Sequence, residues 1–373
     1  MSLRIGPLTL AVPVVLAPMA GVTNGAFRSL CREYGAGLYV SEMMMARALL
    51  NRDGLRSWQR AAFAPDESPR SMQLYGTDAA VVGEAVRMLC ANGMVDHIDM
   101  NFGCPAPKVT RKGGGSAVPA RPGLLRSIVR AAVAGATPYG IPVTIKFRIG
   151  IDDSLTTMLT TGSIAEDEGV AAIALHARTA EQRYSGHAKW EAIAELKQHV
   201  KSIPVLGNGD IWDAHDALDM MRKTNCDGVV VGRGCLGRPW LFRDLVKAFN
   251  GEPIPAPPTV GEVIPVMVDH AHRLVAWHGQ QGIRDFRKHP GWYLTGYPVG
   301  SDVRRRLANV NSLAELDDIV ATIDPSVELP EGPTIPRGHT TPPRPVHLPH
   351  GWLDHPDDAT PPSPEADEIV SGG

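Results

Sequence analysis

Cysteine is scarce in this chain of 373 residues, and its placement excludes two common uses of thiols. The five cysteines are odd in number, lie far apart and include no Cys-x-x-Cys pair. A disulfide framework and a zinc site are therefore both disfavoured. We expect a protein without a metal, in a reducing cytoplasm.

Long apolar runs are also missing, and no later stretch could span a bilayer. The N-terminal run LTLAVPVVLAPMA follows one basic residue, Arg4, and is interrupted by Pro13 and Pro18. A secretory signal peptide would carry a longer uninterrupted apolar segment. We therefore expect a cytoplasmic protein that makes no membrane contact.

Strong net charge is absent from the chain as a whole, at −3. From Asp324 onward, however, nine acidic and two basic residues leave residues 1–323 with a net charge of +4. The same tail holds twelve of the 32 prolines. Because such a composition cannot offset the entropy of ordering, we predict a Pro-rich, acidic, disordered tail over 326–373.

Eight short apolar runs recur along residues 1–250, each ending in a Gly, Pro or polar cluster and followed by helical periodicity. Eight successive strand and helix units predict an α/β fold of the (β/α)8 TIM barrel type. The predicted strands are 14–21, 38–43, 71–76, 97–103, 143–150, 171–178, 204–210 and 228–234.

Polar residues collect at the carboxyl ends of these strands, where a TIM barrel builds its active site. One polar residue at a strand end is usually part of a capped turn, but ten on one rim indicate a site. They are Gln73, Asn101, Cys104, Lys146, Arg148, His176, Arg178, Asn208, Asp210 and Arg233.

Cys104 stands in the segment HIDMNFGCPAP, on a turn framed by Gly103 and Pro105. A buried cysteine that packs as a small hydrophobe is the simpler interpretation. Its position at the rim favours a chemical role instead.

The turns GNGD and GRG follow the last two strands, where barrels commonly bind a phosphate. Arg233 could add a charged contact. Lys146 and His176, on neighbouring strands, could stabilise a reduced flavin. Ordinary glycine turns, a surface lysine and a core histidine are the alternatives.

Several blocks resemble, in order and spacing, the tRNA-dihydrouridine synthases over about residues 5–325, and most closely the bacterial B-type branch. The most specific blocks are MNFGCP and HARTAEQRYSGHAKW. The others are APMAGVTNGAFR, SEMM, MQLYG, KFRIG, LGNGDI and VVVGRGCLGRPWLF.

The resemblance implies an FMN-binding barrel and a helical domain that binds tRNA. It also implies reduction of a D-loop uridine to 5,6-dihydrouridine at the expense of NADPH or NADH. The residues implied to contact FMN are Pro18, Met19, Ala20, Gln73, Lys146, His176, Asn208, Gly209, Asp210, Gly232 and Arg233.

Cys104 is implied to be the catalytic acid. Hydride from reduced FMN would reach C6 of uracil, and a thiol on the opposite ring face could protonate C5 near neutral pH. Asn101 is expected to hydrogen-bond the uracil.

Basic residues are expected to hold the tRNA around the base, which must be flipped into the pocket. The candidates are Lys108, Arg111, Lys112, Arg178, Arg287 and Lys288. We assign residues 251–325 to a helical tRNA-binding domain, in which further cations flank Trp292 and Tyr293. They are His270, His272, Arg273, Arg284, His289 and Arg304 to Arg306. A solvated basic face is the alternative, and no protein partner is evident.

Two other functions compete with this interpretation. One is an FMN barrel that oxidises or reduces a free pyrimidine, as a dihydroorotate or dihydropyrimidine dehydrogenase does, but such an enzyme needs no basic C-terminal domain. The other is a tRNA-binding module without catalysis, which would need neither Cys104 nor Lys146 and His176.

Overall fold

The structure, a computed structural model, describes residues 2–35, 37–51, 62–332, 334–338 and 340–362. Ten strands are present in this part of the chain. They are β1 (Leu3–Ile5), β2 (Leu8–Leu10), β3 (Val14–Leu16), β4 (Leu38–Met45), β5 (Ser71–Tyr75), β6 (His97–Phe102), β7 (Val143–Arg148), β8 (Ala172–His176), β9 (Val205–Asn208) and β10 (Gly228–Val231).

Strands β3 to β10 form a closed barrel in chain order, and β10 pairs in parallel with β3 to close it. The predicted TIM barrel and all eight predicted strands are confirmed. Several strands end earlier than predicted; β3, for example, stops at Leu16 instead of residue 21. Pro18 has no N–H group for the ladder, so the chain leaves the barrel wall there.

Besides three short 3-10 helices, Gly115–Ala120, Thr137–Tyr139 and Arg233–Cys235, fourteen α-helices are described. They are α1 (Gly25–Glu33), α2 (Ala46–Leu50), α3 (Ala79–Ala91), α4 (Pro107–Thr110), α5 (Pro122–Ala136), α6 (Met158–Asp167), α7 (Trp190–His199), α8 (Ala214–Thr224), α9 (Leu241–Phe249), α10 (Val260–His278), α11 (Gln280–Phe286), α12 (His289–Tyr293), α13 (Ser301–Ala308) and α14 (Leu313–Val320). The local sequence determines where α8 and α10 begin. Asp213 and Thr259 precede these helices, and each forms a capping box with an acidic residue three positions later.

The barrel interior is a small apolar cluster that includes Val15, Val40 and Leu206. Leu3 and Ile5 of the β1–β2 hairpin belong to the same cluster. Gly6, at the hairpin turn, lies against Pro142 and Ala171, which precede β7 and β8. The hairpin therefore closes the N-terminal end of the barrel, and the opposite end remains available for a site.

Helices α10 to α14 form a second core after the segment 250–259, where the predicted domain boundary falls. This helical unit packs against α1. Arg273 forms an ion pair of 2.7 Å with Glu33 and donates a hydrogen bond of 3.0 Å to Ser29. A Cβ atom on Gly25 would lie 2.4 Å from the Trp277 ring, so only glycine allows this approach.

His270 and His289 were predicted to contribute to a basic RNA-binding face, and the structure corrects this. Both are fully buried beside Phe27, Phe286 and Tyr293. Burial lowers the pKa of His270 to about 3, and it lowers the pKa of His289 well below its usual value. At neutral pH both rings are uncharged core groups.

The tail after residue 325 has no helix or strand among its described residues, as its composition suggests. It nevertheless contacts the barrel at several places, which the sequence did not indicate. Arg337 and Trp352 are both buried, and Asp358 forms an ion pair with Arg121. The tail boundary and the disorder of 326–373 stay predictions. Among the described residues, no helix combines the length and apolarity required to cross a bilayer.

The buried His270 predicts acid sensitivity. Its folded pKa of about 3 lies below the usual 6.5, so the unfolded chain binds one more proton between these values, and stability falls as the pH drops from about 6.5 towards 3. The variant His270→Asn should reduce this slope by about 1.4 kcal/mol per pH unit near pH 5, measured by urea unfolding.

The control is His272→Asn, which makes the same substitution at an exposed position of the same helix. Equal slopes for His270→Asn and the unaltered protein would contradict a neutral His270 in the folded state.

Candidate active site

The Cys104 loop begins where β6 ends, and its backbone is fixed from several sides. The side-chain oxygen of Asn101 accepts hydrogen bonds from the N–H groups of Gly103, at 3.2 Å, and Cys104, at 2.9 Å. Arg148 donates to the carbonyl of Gly103 at 2.9 Å. The N–H group of Ser116 donates to the Cys104 carbonyl at 3.1 Å. The position of the thiol is therefore set by β6, β7 and the turn at 115–120.

Gly115 allows the segment 115–120 to lie close to the backbone of Cys104. Its φ is +56°, and a Cβ atom there would lie 2.6 Å from the carbonyl oxygen of Cys104. A side chain would both strain this backbone and push the Cys104 loop away. The glycine run after Cys104 thus lets the turn pack directly behind the cysteine.

The Cys104 thiol is protonated at neutral pH. Burial raises its pKa, although a backbone hydrogen bond from Ala106 and the nearby charges of Arg148 and Lys108 oppose the increase. A thiol that retains its proton suits an acid better than a nucleophile, since nucleophilic cysteines need a lowered pKa.

A buried carboxylate, Asp99, orients the amide groups beneath this loop. Its two oxygens accept hydrogen bonds from the hydroxyl of Thr144 at 2.6 Å and from the side-chain amide of Gln73 at 2.7 Å. The Gln73 oxygen in turn accepts from the Asn101 amide at 2.9 Å. The chain of hydrogen bonds from Asp99 through Gln73 and Asn101 to Cys104 therefore fixes each amide in one orientation.

Burial shifts the pKa values of Asp99 and His97, which lie at the base of this series of hydrogen bonds, in opposite directions. It raises the pKa of Asp99 to about 6 and lowers the pKa of His97 to about 3. His97 lies between the hydroxyls of Ser71, at 2.7 Å, and Thr144, at 3.0 Å. A neutral His97 and an ionised Asp99 are thus the states expected at neutral pH.

A cavity opens beside the ends of β3 and β7 to β10. All residues predicted to contact FMN line it except Ala20, which is exposed, and Gln73, which belongs to the hydrogen-bonded chain below Cys104. The predicted residues brought together are Pro18, Met19, Lys146, His176, Asn208, Gly209, Asp210, Gly232 and Arg233.

Lys146 and His176 both face this cavity from neighbouring strands. The ammonium group of Lys146 donates to the Asn208 side chain at 2.9 Å. Burial, together with the charge of Arg148, lowers the pKa of Lys146 to about 7. Burial also lowers the pKa of His176 well below its usual value, so His176 is neutral and can still donate one N–H group.

Arg233 and Asp210 form an ion pair at the cavity wall, with 3.5 Å between the guanidinium nitrogen and the carboxylate oxygen. The Arg233 guanidinium stacks between the rings of Tyr184, at 4.4 Å, and Trp212, at 4.9 Å. Asp210 accepts two hydrogen bonds of 2.7 Å from Arg178 and one from the N–H group of Ala188. Arg233 is therefore held at the cavity wall, while the carboxylate of Asp210 ties two loops together.

The predicted tRNA contacts lie at three separate places. Lys108 and Arg111 are exposed on the loop after Cys104, and Lys112 is half-buried there. Arg178 is buried in its pair with Asp210 and is not positioned to reach RNA. Arg287 donates to the carbonyl of Val310 and to Asn311, and the exposed Lys288 donates to the Gly21 carbonyl.

Sequence reasoning missed Asp99, Arg148 as a loop anchor, and Tyr184. Asp99 had a detectable signal, since it is a charged residue between the apolar residues Ile98 and Met100 in the interior of a strand. Arg148 connects the loops after β6 and β8, because it donates to Gly103 and to the carbonyls of Thr179 and Arg183. Pairings of this kind across loops leave no local pattern.

Comparisons with known proteins find close relatives of this chain. A "Probable tRNA-dihydrouridine synthase" of Mycobacterium tuberculosis is 56% identical over 380 residues, covering 100% of this chain and 97% of the relative. A "tRNA-dihydrouridine synthase B" of Pseudomonas syringae is 41% identical over 305 residues, covering 81% of this chain and 88% of the relative.

Solved structures show the fold alone. Histamine dehydrogenase from Rhizobium sp. 4-9 superimposes with a TM-score of 0.52 at 13% identity, over 87% of this chain and 64% of that one. A 2-naphthoyl-CoA reductase complex has the same TM-score and identity, over 68% of this chain and 52% of that one. The family model of dihydrouridine synthases (Dus) matches residues 15–327, and the chain belongs to that family.

Proposed function

We propose that this protein reduces uridine to 5,6-dihydrouridine in the D-loop of tRNA, with FMN as cofactor and NADPH or NADH as reductant. The observation that carries the proposal is the juxtaposition of a protonated Cys104 with a cationic cavity. Asn101 of β6 pairs in register with Lys146 of β7, so the Cys104 loop begins one strand away from the cavity lining.

The lining of the cavity suits the charge of FMN. Its cationic and N–H donors, Lys146, His176 and Arg233, suit an anionic phosphate and an electron-rich ring. A Cβ atom on Gly232 would meet only Ala17 and Met19, at 3.6 Å or more. The turn after β10 is therefore open at the place where barrels commonly bind phosphate.

When bound, FMN supplies the hydride for C6 of uracil. Cys104 supplies the proton for C5, and its raised pKa keeps that proton available at neutral pH. Asn101 fixes the loop that carries the thiol, and its amide is the group we assign to the uracil edge. Lys146 and His176 stabilise negative charge on the cofactor side of the cavity.

The exposed cations around the mouth favour tRNA over a free pyrimidine. Lys108 and Arg111 lie within seven residues of Cys104 and face solvent, where flanking phosphates could reach them. A small substrate needs no such contacts.

Removal of the acid should separate the two halves of the reaction. Cys104→Ala should retain FMN and accept electrons from NADPH at a near-normal rate. Dihydrouridine should form at least about 100-fold more slowly, as expected for a lost general acid. Mass spectrometry of the tRNA product measures this, and Cys90→Ala, at a buried cysteine on α3, is the control. Normal dihydrouridine formation by Cys104→Ala would refute the acid role.

The hydrogen bonds that link Asp99 to Cys104 through Gln73 and Asn101 predict a second variant with reduced turnover. The Asp99→Asn amide has one acceptor oxygen in place of two, so it must donate to either Thr144 or Gln73. Where it donates to Gln73, Gln73 in turn donates to Asn101. The Asn101 amide would have to turn its N–H groups towards Cys104, which breaks the hydrogen bond at 2.9 Å. We expect turnover to fall by about tenfold or more, the scale of one or two lost hydrogen bonds.

Ser71→Ala is the matched control for Asp99→Asn. Ser71 is buried in the neighbouring strand and contacts only His97 in the same network. Its loss should leave turnover near normal. Equal turnover in the two variants would remove the support for Asp99 as an orienting group.

Contacts between the exposed cations and tRNA phosphates predict that tRNA affinity depends steeply on salt concentration. The logarithm of tRNA affinity should fall linearly with the logarithm of salt concentration, because bound counterions are released. Lys108→Glu with Arg111→Glu should weaken binding and flatten that slope by roughly one to two, while FMN content is unchanged. Filter binding at several salt concentrations measures both quantities.

The double variant Arg222→Glu with Lys223→Glu, on the exposed face of α8, controls for net charge. Binding that is indifferent to salt, or reduction of free uracil as fast as tRNA, would contradict the assignment to tRNA.

A further inference from the structure

The C-terminal strap, residues 340–362, lies beyond the family match, which ends at 327. It has no regular structure, yet it follows the barrel over a long path. The N–H group of Arg344 donates to the Glu181 carbonyl at 3.1 Å, in the loop after β8. Val346 and Leu348 pack against the main barrel core. The strap thus passes from the loop after β8 to the loop after β6.

Trp352 is the most deeply inserted residue of the strap, with 5% of its surface exposed. Its indole N–H group donates to the Ala117 carbonyl at 2.9 Å. The Arg121 guanidinium lies 4.7 Å above the indole ring. A Cβ atom on Gly113 would lie 2.4 Å from the ring, so glycine is required to admit it. The indole therefore has a fitted pocket on the loop that follows Cys104.

A second set of contacts holds the strap immediately after Trp352. Asp358 pairs with Arg121 at 2.7 Å, and the N–H group of Gly123 donates to the Pro356 carbonyl at 3.2 Å. A Cβ atom on Gly123 would lie 2.0 Å from the carbonyl oxygen of Asp357. The strap is thus docked on the turn at 115–120 and on the start of α5, the elements directly behind the cysteine.

The turn at 115–120 contacts both Trp352 and Cys104 through adjacent residues. Ser116 donates its N–H group to the Cys104 carbonyl, and Ala117 accepts the hydrogen bond from Trp352. Gly115 packs against the same cysteine, with its Cβ position 3.1 Å from the Cys104 Cβ. A shift of this turn would therefore move the thiol.

We propose that Trp352 is a positioning residue for Cys104, and that the strap supports the Cys104 loop from behind. The effect on turnover rests on the proposed function, but the effect on the thiol does not. The loss of the indole should loosen the turn at 115–120, admit water to Cys104 and displace the thiol, while the cavity after β7 to β10 is left intact.

The test compares Trp352→Ala, Trp352→Phe and the control Leu353→Ala, which alters a neighbour with 47% of its surface exposed. The first readout is the rate at which iodoacetamide alkylates Cys104, followed by peptide mass spectrometry. We expect at least a tenfold increase in Trp352→Ala and no change in Leu353→Ala. Trp352→Phe should lie between them, because it keeps an aromatic ring but loses the N–H group. Alkylation of Cys90 should not change in any variant.

The second readout is turnover on tRNA. In Trp352→Ala, kcat for dihydrouridine formation should fall at least about tenfold, with KM for tRNA and FMN content within about twofold of normal. Trp352→Phe should recover part of the loss. If Trp352→Ala does not fold, Trp352→Phe alone decides the question through both readouts.

Unchanged alkylation and unchanged kcat in these variants would overturn the proposal. A general loss of FMN, or faster alkylation of Cys90, would also overturn it, because Trp352 would then support the fold as a whole. If Cys104 becomes more reactive but the unaltered protein reduces no uridine, the proposed function fails while the positioning of the thiol by Trp352 stands.

Discussion

The burial of one carboxylate, Asp99, inside the barrel determines how the rest of the site is arranged. A charged group removed from water must have hydrogen-bond donors on both oxygens, and Thr144 and Gln73 supply them. That requirement fixes the Gln73 amide, which fixes Asn101, which holds the N–H groups of Gly103 and Cys104. The direction in which the thiol is presented therefore follows from an ionised group placed well below it.

The cations at the rim repel one another, since several positive groups are buried close together. Lys146 and Arg148 each have a lowered pKa, about 7 and about 10, because burial and neighbouring cations both disfavour their charge. Asp210 offsets part of this charge through its ion pairs with Arg178 and Arg233. The remaining positive charge lines the cavity, and a bound anionic cofactor would relieve it. This is a physical reason to expect an anionic cofactor in the cavity.

The sequence predicted the features that depend on periodic or local patterns. Strand order followed from apolar runs, and the cavity residues followed from the rule that carboxyl ends of parallel strands share one rim. It could not predict contacts that depend on distant segments. His270 and His289 look like surface cations until their burial against Phe27 is known, and Arg178 looks like an RNA contact until it is paired with Asp210. Trp352 contacts a carbonyl 235 positions earlier, and no local pattern encodes such a pairing.

The composition that predicts disorder in the tail also lowers the free-energy cost of docking it. Ordering one residue of backbone costs roughly 1–2 kcal/mol, so a single tryptophan could not hold a strap of more than twenty flexible residues. Pro342, Pro343, Pro345 and Pro349 have fixed φ angles, and the unfolded strap therefore has less freedom to lose. Apolar contacts at Val346 and Leu348 and the pair between Asp358 and Arg121 share the remaining cost. A proline-rich segment with spaced anchors can thus lie extended along the barrel without a helix or strand, which is the arrangement that leaves Trp352 fixed behind Cys104.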